Sequence, residues 1–136
     1  IAAALAAFGL AAPSASAPAA IAHEPWSPQR VAELQAEGRP VFVNFTADWC
    51  VTCLVNEKAV LTRSDVAEAF EATGAAYLKA DWTKRDDVIA AELRSHGRAG
   101  VPLYLVYAPT PGSAPTLLPQ ILTAGSVEDA LRAAKP

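Results

Sequence analysis

The 136-residue chain has only two cysteines, Cys50 and Cys53, and two histidines, His23 and His96. So few cysteines exclude a disulfide-rich scaffold and a self-contained four-cysteine zinc module. Positive charge is also scarce: 11 Lys and Arg stand against 14 Asp and Glu, a formal net charge of −3. There is no basic stripe, so nucleic acid is excluded as a partner. Charged residues amount to 18% and hydrophobic ones to 52%, which excludes a disordered chain. No internal repeat and no long amphipathic seam are present, and a monomer is expected. The length suits one domain with a core of its own.

Composition divides the chain into three parts. Residues 1–12, IAAALAAFGLAA, are uncharged and mostly alanine. They are too few to cross a bilayer alone, which takes about 20 residues. They read as the end of a transmembrane helix or as the apolar part of a signal peptide, with Ala15-Ser16-Ala17 as its cleavage motif. A plain Ala-rich extension is the third reading. Residues 13–27 hold Pro13, Pro18 and Pro25 among Ala and Ser, the composition of a linker. The folded domain is expected over 28–136.

Within that domain, helical and strand patterns alternate. Ser27-Pro28 reads as an N-cap and first helical residue, and Gly38 stops that helix. Val41–Phe45 reads as a strand covered on both faces. An apolar-periodic stretch runs from Cys50 through Val51, Leu54, Val55 and Leu61. A helix follows from Ser64 or Asp65 to Gly74. Ala76–Ala80 is a second strand. A helix from Asp86 to His96 is expected to bury Val88, Ile89 and Leu93 on one face. Leu103–Tyr107 is a third strand, Thr116–Leu118 a short edge strand, and Ser126 is expected to cap the last helix. The pattern predicts a compact α/β sandwich.

The chemistry lies in Trp49-Cys50-Val51-Thr52-Cys53. Two cysteines three apart, after a strand and opening a helix, can close a disulfide across one helical turn. The first meets unpaired N–H groups and the positive end of the helix dipole, which lower a thiol pKa. Cys50 is therefore the expected nucleophile, and Cys53 the thiol that resolves the mixed disulfide. A purely structural disulfide would more usually close a longer loop. Cu(I) bound by the two thiolates stays open as a reading. Gly100-Val101-Pro102, just before a strand, sits where a cis proline can occur, although trans is commoner.

The run Phe45-Thr46-Ala47-Asp48-Trp49-Cys50-Val51-Thr52-Cys53, followed by Gly100-Val101-Pro102, resembles the thioredoxin superfamily. Asn56-Glu57, Lys79-Ala80-Asp81-Trp82-Thr83 and Leu118–Thr123 resemble the C-terminal periplasmic domain of DsbD-type transmembrane thiol:disulfide interchange proteins. The last two stretches look most like the branch of the copper-tolerance protein ScsB. The resemblance implies a thioredoxin fold: a central mixed β-sheet flanked by helices, with the CxxC at a helix N-terminus. It implies a protein-disulfide reductase on the periplasmic side of the bacterial inner membrane, tethered there in the full-length protein. Electrons would come from a membrane-embedded donor domain and pass to periplasmic thiol-disulfide proteins. Residues 1–12 would then end a transmembrane helix. No cofactor beyond the Cys50–Cys53 disulfide and no metal is implied. Pro102 would be cis, Val101 would offer its backbone to an extended partner segment, and Trp49 would flank the site rather than fill the core. A free-standing reductase serving cytochrome c maturation is the alternative of the same chemistry. A DsbA-like oxidase is disfavoured, because the stretch from Asp81 to Val101 has no room for its helical insertion.

One position departs from the family pattern. Thioredoxins carry a buried Asp six residues before the first cysteine, and Asn44 stands there instead. Asparagine cannot ionise or shuttle a proton. Glu57, four residues after Cys53 and so on the same helix face, becomes the expected proton acceptor. Its other reading is a solvated charge, or an ion pair with Lys58 or another base. Asp48 is expected to make local hydrogen bonds only.

Overall fold

The structure, a computed structural model, describes residues 21–135. The expected apolar segment 1–12 and most of the expected linker lie outside the described residues. Among the described residues no helix is long and apolar enough to cross a membrane.

A two-residue strand β1 (Glu24–Pro25) precedes helix α1 (Pro28–Ala36). The Ser27 hydroxyl accepts from the Arg30 amide at 3.0 Å, and Pro28 takes the first helical position, where a missing N–H costs nothing. Strand β2 (Val41–Thr46) is buried along its whole length. Helices α2 (Val51–Ala59) and α3 (Ser64–Thr73) follow. Gly74, at φ 70°, ends α3 in the left-handed conformation that suits glycine. Strand β3 (Ala76–Asp81), helix α4 (Asp87–Ser95), strands β4 (Leu103–Tyr107) and β5 (Thr116–Leu117), and helix α5 (Ala124–Ala134) complete the chain.

The sheet order is β1-β3-β2-β4-β5, with β1 and β2 parallel to β3 and with β4 antiparallel to both β2 and β5. This is a thioredoxin fold. Alternation along β2 serves both faces. Phe42 enters a cluster with Phe70, Tyr77, Tyr104, Val127 and Leu131, beneath α3 and α5. Val41, Val43 and Phe45 enter the opposite cluster with Leu34, Ile89 and Leu93, beneath α1 and α4. Asn44 and Thr46 share the Phe42 face, which turns two polar side chains toward α2.

Three expectations change. The end of the expected linker 13–27 joins the fold: Glu24 and Pro25 pair with Leu78 and Lys79, and the Trp26 amide donates to the Lys79 carbonyl at 2.9 Å. An edge strand tolerates Pro25, which lacks an N–H. Val88 is 59% exposed. Ile89 and Leu93 lie one turn apart on the buried face, and Val88 is rotated off it. Thr123 caps α5, and Ser126 returns the bond from the third helical position. The apolar-periodic stretch from Cys50 to Leu61 divides: Cys50, Cys53 and Leu61 are buried, while Val51, Leu54 and Val55 are exposed.

Candidate active site

Strand β2 ends at Thr46, and a turn through Ala47, Asp48 and Trp49 delivers Cys50 to the N-cap of α2. The Cys50 amide donates to the Ala47 carbonyl at 3.1 Å, and the Cys53 amide points at Cys50 Sγ at 3.2 Å. The two cysteines are joined as a disulfide, their Cα atoms 5.2 Å apart. Cys50 keeps 8% exposure and Cys53 none. Once the pair is reduced, a Cys50 thiolate gains the Cys53 N–H and the helix N-terminus. The Cys53 thiol is held away from water, where its charged form is disfavoured.

The expected partner loop arrives from the segment between α4 and β4. Val101 packs against the cluster of Ala47, Cys50 and Cys53, and the Val101–Pro102 peptide bond is cis. Among the described residues neither the amide nor the carbonyl of Val101 has a hydrogen-bond partner. An extended chain could pair there.

A polar network lies on the inner side of α2. Asn44 is fully buried, and its Nδ2 donates to the Tyr77 hydroxyl at 2.9 Å and to Glu57 Oε1 at 3.4 Å. The Thr46 hydroxyl donates to Glu57 Oε2 at 3.2 Å, and Lys79 Nζ stands 3.5 Å from Glu57 Oε1. The Glu57 side chain is 21% exposed. Glu57 is thus neither freely solvated nor paired with Lys58. It ties α2 to β2 and β3. Asn44 Oδ1 is buried with no partner among the described residues. Burial lifts the Tyr77 phenol well above its ordinary range, and the Glu57 charge adds to the lift.

Burial likewise pushes Tyr104 and Tyr107 up to about 12. An unfolded tyrosine titrates near about 10. The folded state favours the neutral phenols, so their contribution is whole below about pH 10 and disappears as pH climbs toward about 12. Urea midpoints should therefore fall steeply above about pH 10. Tyr104→Phe should flatten that fall, and an equally steep decline would rule out a part for Tyr104.

Sequence reasoning placed Trp49 at the rim, and there it is, 47% exposed. It did not find what holds Trp49. Indole Nε1 donates to the Thr83 carbonyl at 3.0 Å, and the Asp48 amide donates to the Thr83 hydroxyl at 2.9 Å. The Trp82 ring lies 5.8 Å from Trp49, centroid to centroid. The other residue missed is Asn56, which is 3% exposed. Its Nδ2 donates to the Tyr104 hydroxyl at 2.8 Å and to the Gln120 carbonyl at 2.7 Å, and its Oδ1 accepts from the Leu122 amide at 3.1 Å. An asparagine inside an otherwise apolar helical run, one turn beyond Cys53, was the available signal. His96 is local, as expected, 3.0 Å from Glu92.

Comparison with known proteins follows the same lines. The family described as thioredoxin-like matches residues 22–109, more than half of the chain. The thiol:disulfide interchange protein DsbD of Klebsiella pneumoniae is 36% identical over 73 residues, covering 54% of this chain and 12% of that protein. The chain therefore spans only about an eighth of the length of this relative. A thioredoxin from Thermus thermophilus superposes with a TM-score of 0.67 at 22% identity, over 84% of this chain and 86% of that one. The oxidised DsbD C-terminal domain of Neisseria meningitidis superposes with a TM-score of 0.62 at 21% identity, over 83% of this chain and 99% of that one.

Proposed function

We propose that this chain, which belongs to the thioredoxin-like family, reduces disulfides in other proteins as one station of an electron relay. It is a thioredoxin-like disulfide oxidoreductase related to DsbD. The relay itself is our reading. Electrons arrive from a membrane-embedded domain and leave to periplasmic thiol proteins, on the periplasmic side of the bacterial inner membrane. The observation that carries the reading is the asymmetry of the pair. Cys50 has the helix N-terminus and the outer position, Cys53 has none of the surface, and Val101 packs against the cluster that holds both.

The exchange has two steps. The Cys50 thiolate attacks one sulfur of a partner disulfide, forming a mixed disulfide and releasing a partner thiolate. Cys53 then loses its proton, attacks Cys50 Sγ and releases the second partner thiolate. Two electrons have moved, and the Cys50–Cys53 bond has formed. Val101 aligns the partner segment through its free backbone groups, with cis Pro102 shaping that edge. Trp49 and the exposed apolar side chains of Val51, Leu54 and Val55 provide a surface on which a partner can dock.

We assign Glu57 to the second step, as acceptor of the Cys53 proton in the place of the missing Asp. Glu57→Gln should slow resolution by about 10²-fold near neutral pH, the usual scale for a positioned base. The deficit should shrink as pH rises and Cys53 ionises unaided. Rapid-quench alkylation of the mixed disulfide across pH measures it. A deficit that is constant with pH would leave Glu57 a structural ion-pair residue.

The direction of flow has its own test. The reduced domain is mixed with a disulfide-bonded peptide, and thiols are counted by alkylation and mass. Loss of two thiols from the domain matched by a gain of two on the peptide supports the reductase. No transfer would overturn it.

A further inference from the structure

Arg85 is the only non-glycine residue at positive φ among the described residues, at 54°. A long side chain is costly there, and such strain persists where surrounding structure enforces it. The Arg85 amide donates to the Trp82 carbonyl at 2.9 Å, closing the turn after β3. The result is a guanidinium laid across two indoles, its Cζ 4.7 Å from the Trp49 ring centre and 4.9 Å from that of Trp82. Trp82 in turn reaches the other half of the site: a first side-chain carbon at Gly100 would sit 3.5 Å from Trp82 Cζ3. One stack thus connects the residue before Cys50 with the residue before Val101.

Arg85 is exposed, and among the described residues its side chain makes no hydrogen bond and no ion pair. The nearby carboxylates are engaged elsewhere or lie apart from it. Asp81 accepts from the amide and hydroxyl of Thr83, and Asp86 accepts from the Ile89 amide to cap α4. Asp48 is exposed and pairs with no cation among the described residues. The cation–π contacts hold the guanidinium against the two rings but leave its N–H donors unspent. A planar fork of donors resting on Trp49, the residue before the reactive Cys50, matches a carboxylate.

We propose that Arg85 is a specificity-determining residue that recognises an acidic side chain next to the reactive cysteine of the partner protein. The inference rests on the disulfide-exchange reading of Cys50, and its test separates the two. The probes are short end-capped peptides with one cysteine blocked as a 2-thiopyridyl disulfide. A single Glu stands one or two residues before or after that cysteine, and each peptide has a Gln twin and a Lys twin. Cys50 attacks the peptide sulfur and 2-thiopyridone leaves, giving a colour change that reports the rate.

At low salt the parent protein should react about 3- to 10-fold faster with at least one Glu peptide than with its Gln twin, the scale of a well-formed exposed pair. High salt should erode the ratio. Arg85→Asn should bring it to about 1 while preserving the turn, because asparagine is among the non-glycine residues that enter the left-handed region most readily. Arg85→Glu should invert the preference toward the Lys twin. Ratios that are the same in Arg85→Asn as in the parent, or absent from the parent at every position, would overturn the inference while exchange itself stands. Release as fast in Cys50→Ala as in the parent would instead bring down the exchange reading, and this inference with it.

Discussion

Mixed with an oxidised partner, the Cys53→Ala protein should stop halfway, accumulating as a covalent adduct through Cys50 while turnover falls to background. The reason is the division of labour set by the helix N-terminus. Cys50 has the outer position and the N–H of residue 53 aimed at its sulfur. The backbone supplies that N–H, so it survives the substitution, and attack remains possible. What is lost is the buried thiol that reopens the mixed disulfide. Cys50→Ala should form no adduct, because Cys53 has no exposed surface. Non-reducing electrophoresis and intact mass of both variants with the same partner make the comparison. An adduct that forms through Cys53 and not through Cys50 would reverse the assignment.

The second large effect is on stability. Asn56→Ala should cost about 3 kcal/mol, because it removes two buried hydrogen bonds and one part-buried one and strands their partners. The Gln120 carbonyl and Leu122 amide have no other partner among the described residues. Such a loss corresponds to a fall in melting temperature of roughly 10 °C or more for a domain of this size. Ile121, 68% exposed between the two clamped residues, would lose its fixed position beside α2. Urea unfolding of Asn56→Ala, Tyr104→Phe and the double variant gives the coupling energy directly. A change below about 0.5 kcal/mol, as for ordinary surface positions, would mean that the segment before α5 is held by apolar packing alone.

What the sequence made legible depended on how local each signal was. Strand β4 is an unbroken apolar and aromatic run and β2 is one interrupted only by Asn44 before Thr46, and both stood out. Strand β1 did not, because two residues containing a proline have no periodicity, and their pairing with Leu78 and Lys79 is created by the fold. The apolar residues of α2 were read only as a periodic stretch. Helical periodicity reports which residues share a face, not whether the face is covered, and here Val51, Leu54 and Val55, on the helix that carries the redox pair, are exposed. Glu57 was identified as the acidic residue of interest, and of the bases left open as its partner the fold supplies Lys79 on β3 and not the adjacent Lys58. Asn44 was seen as a departure, while its contact with Tyr77 spans 33 residues of sequence. The contacts of Asn56 span 48 and 64. Polar residues with distant partners look like loop residues until the sheet order is known. The Arg85 stack was hidden for the same reason. A cation and two tryptophans have no pattern in one dimension, although Trp82 already lay within the stretch that carried the family likeness.

The most direct test of the central claim is the reduction potential of the Cys50–Cys53 pair. The domain is equilibrated in glutathione or dithiothreitol buffers, and the fraction of free thiol is read by alkylation and mass. An electron donor should lie near or below roughly −220 mV, in the range of thioredoxins and glutaredoxins. A value near about −120 mV, that of a strong oxidant, would contradict the account and turn the direction of electron flow around.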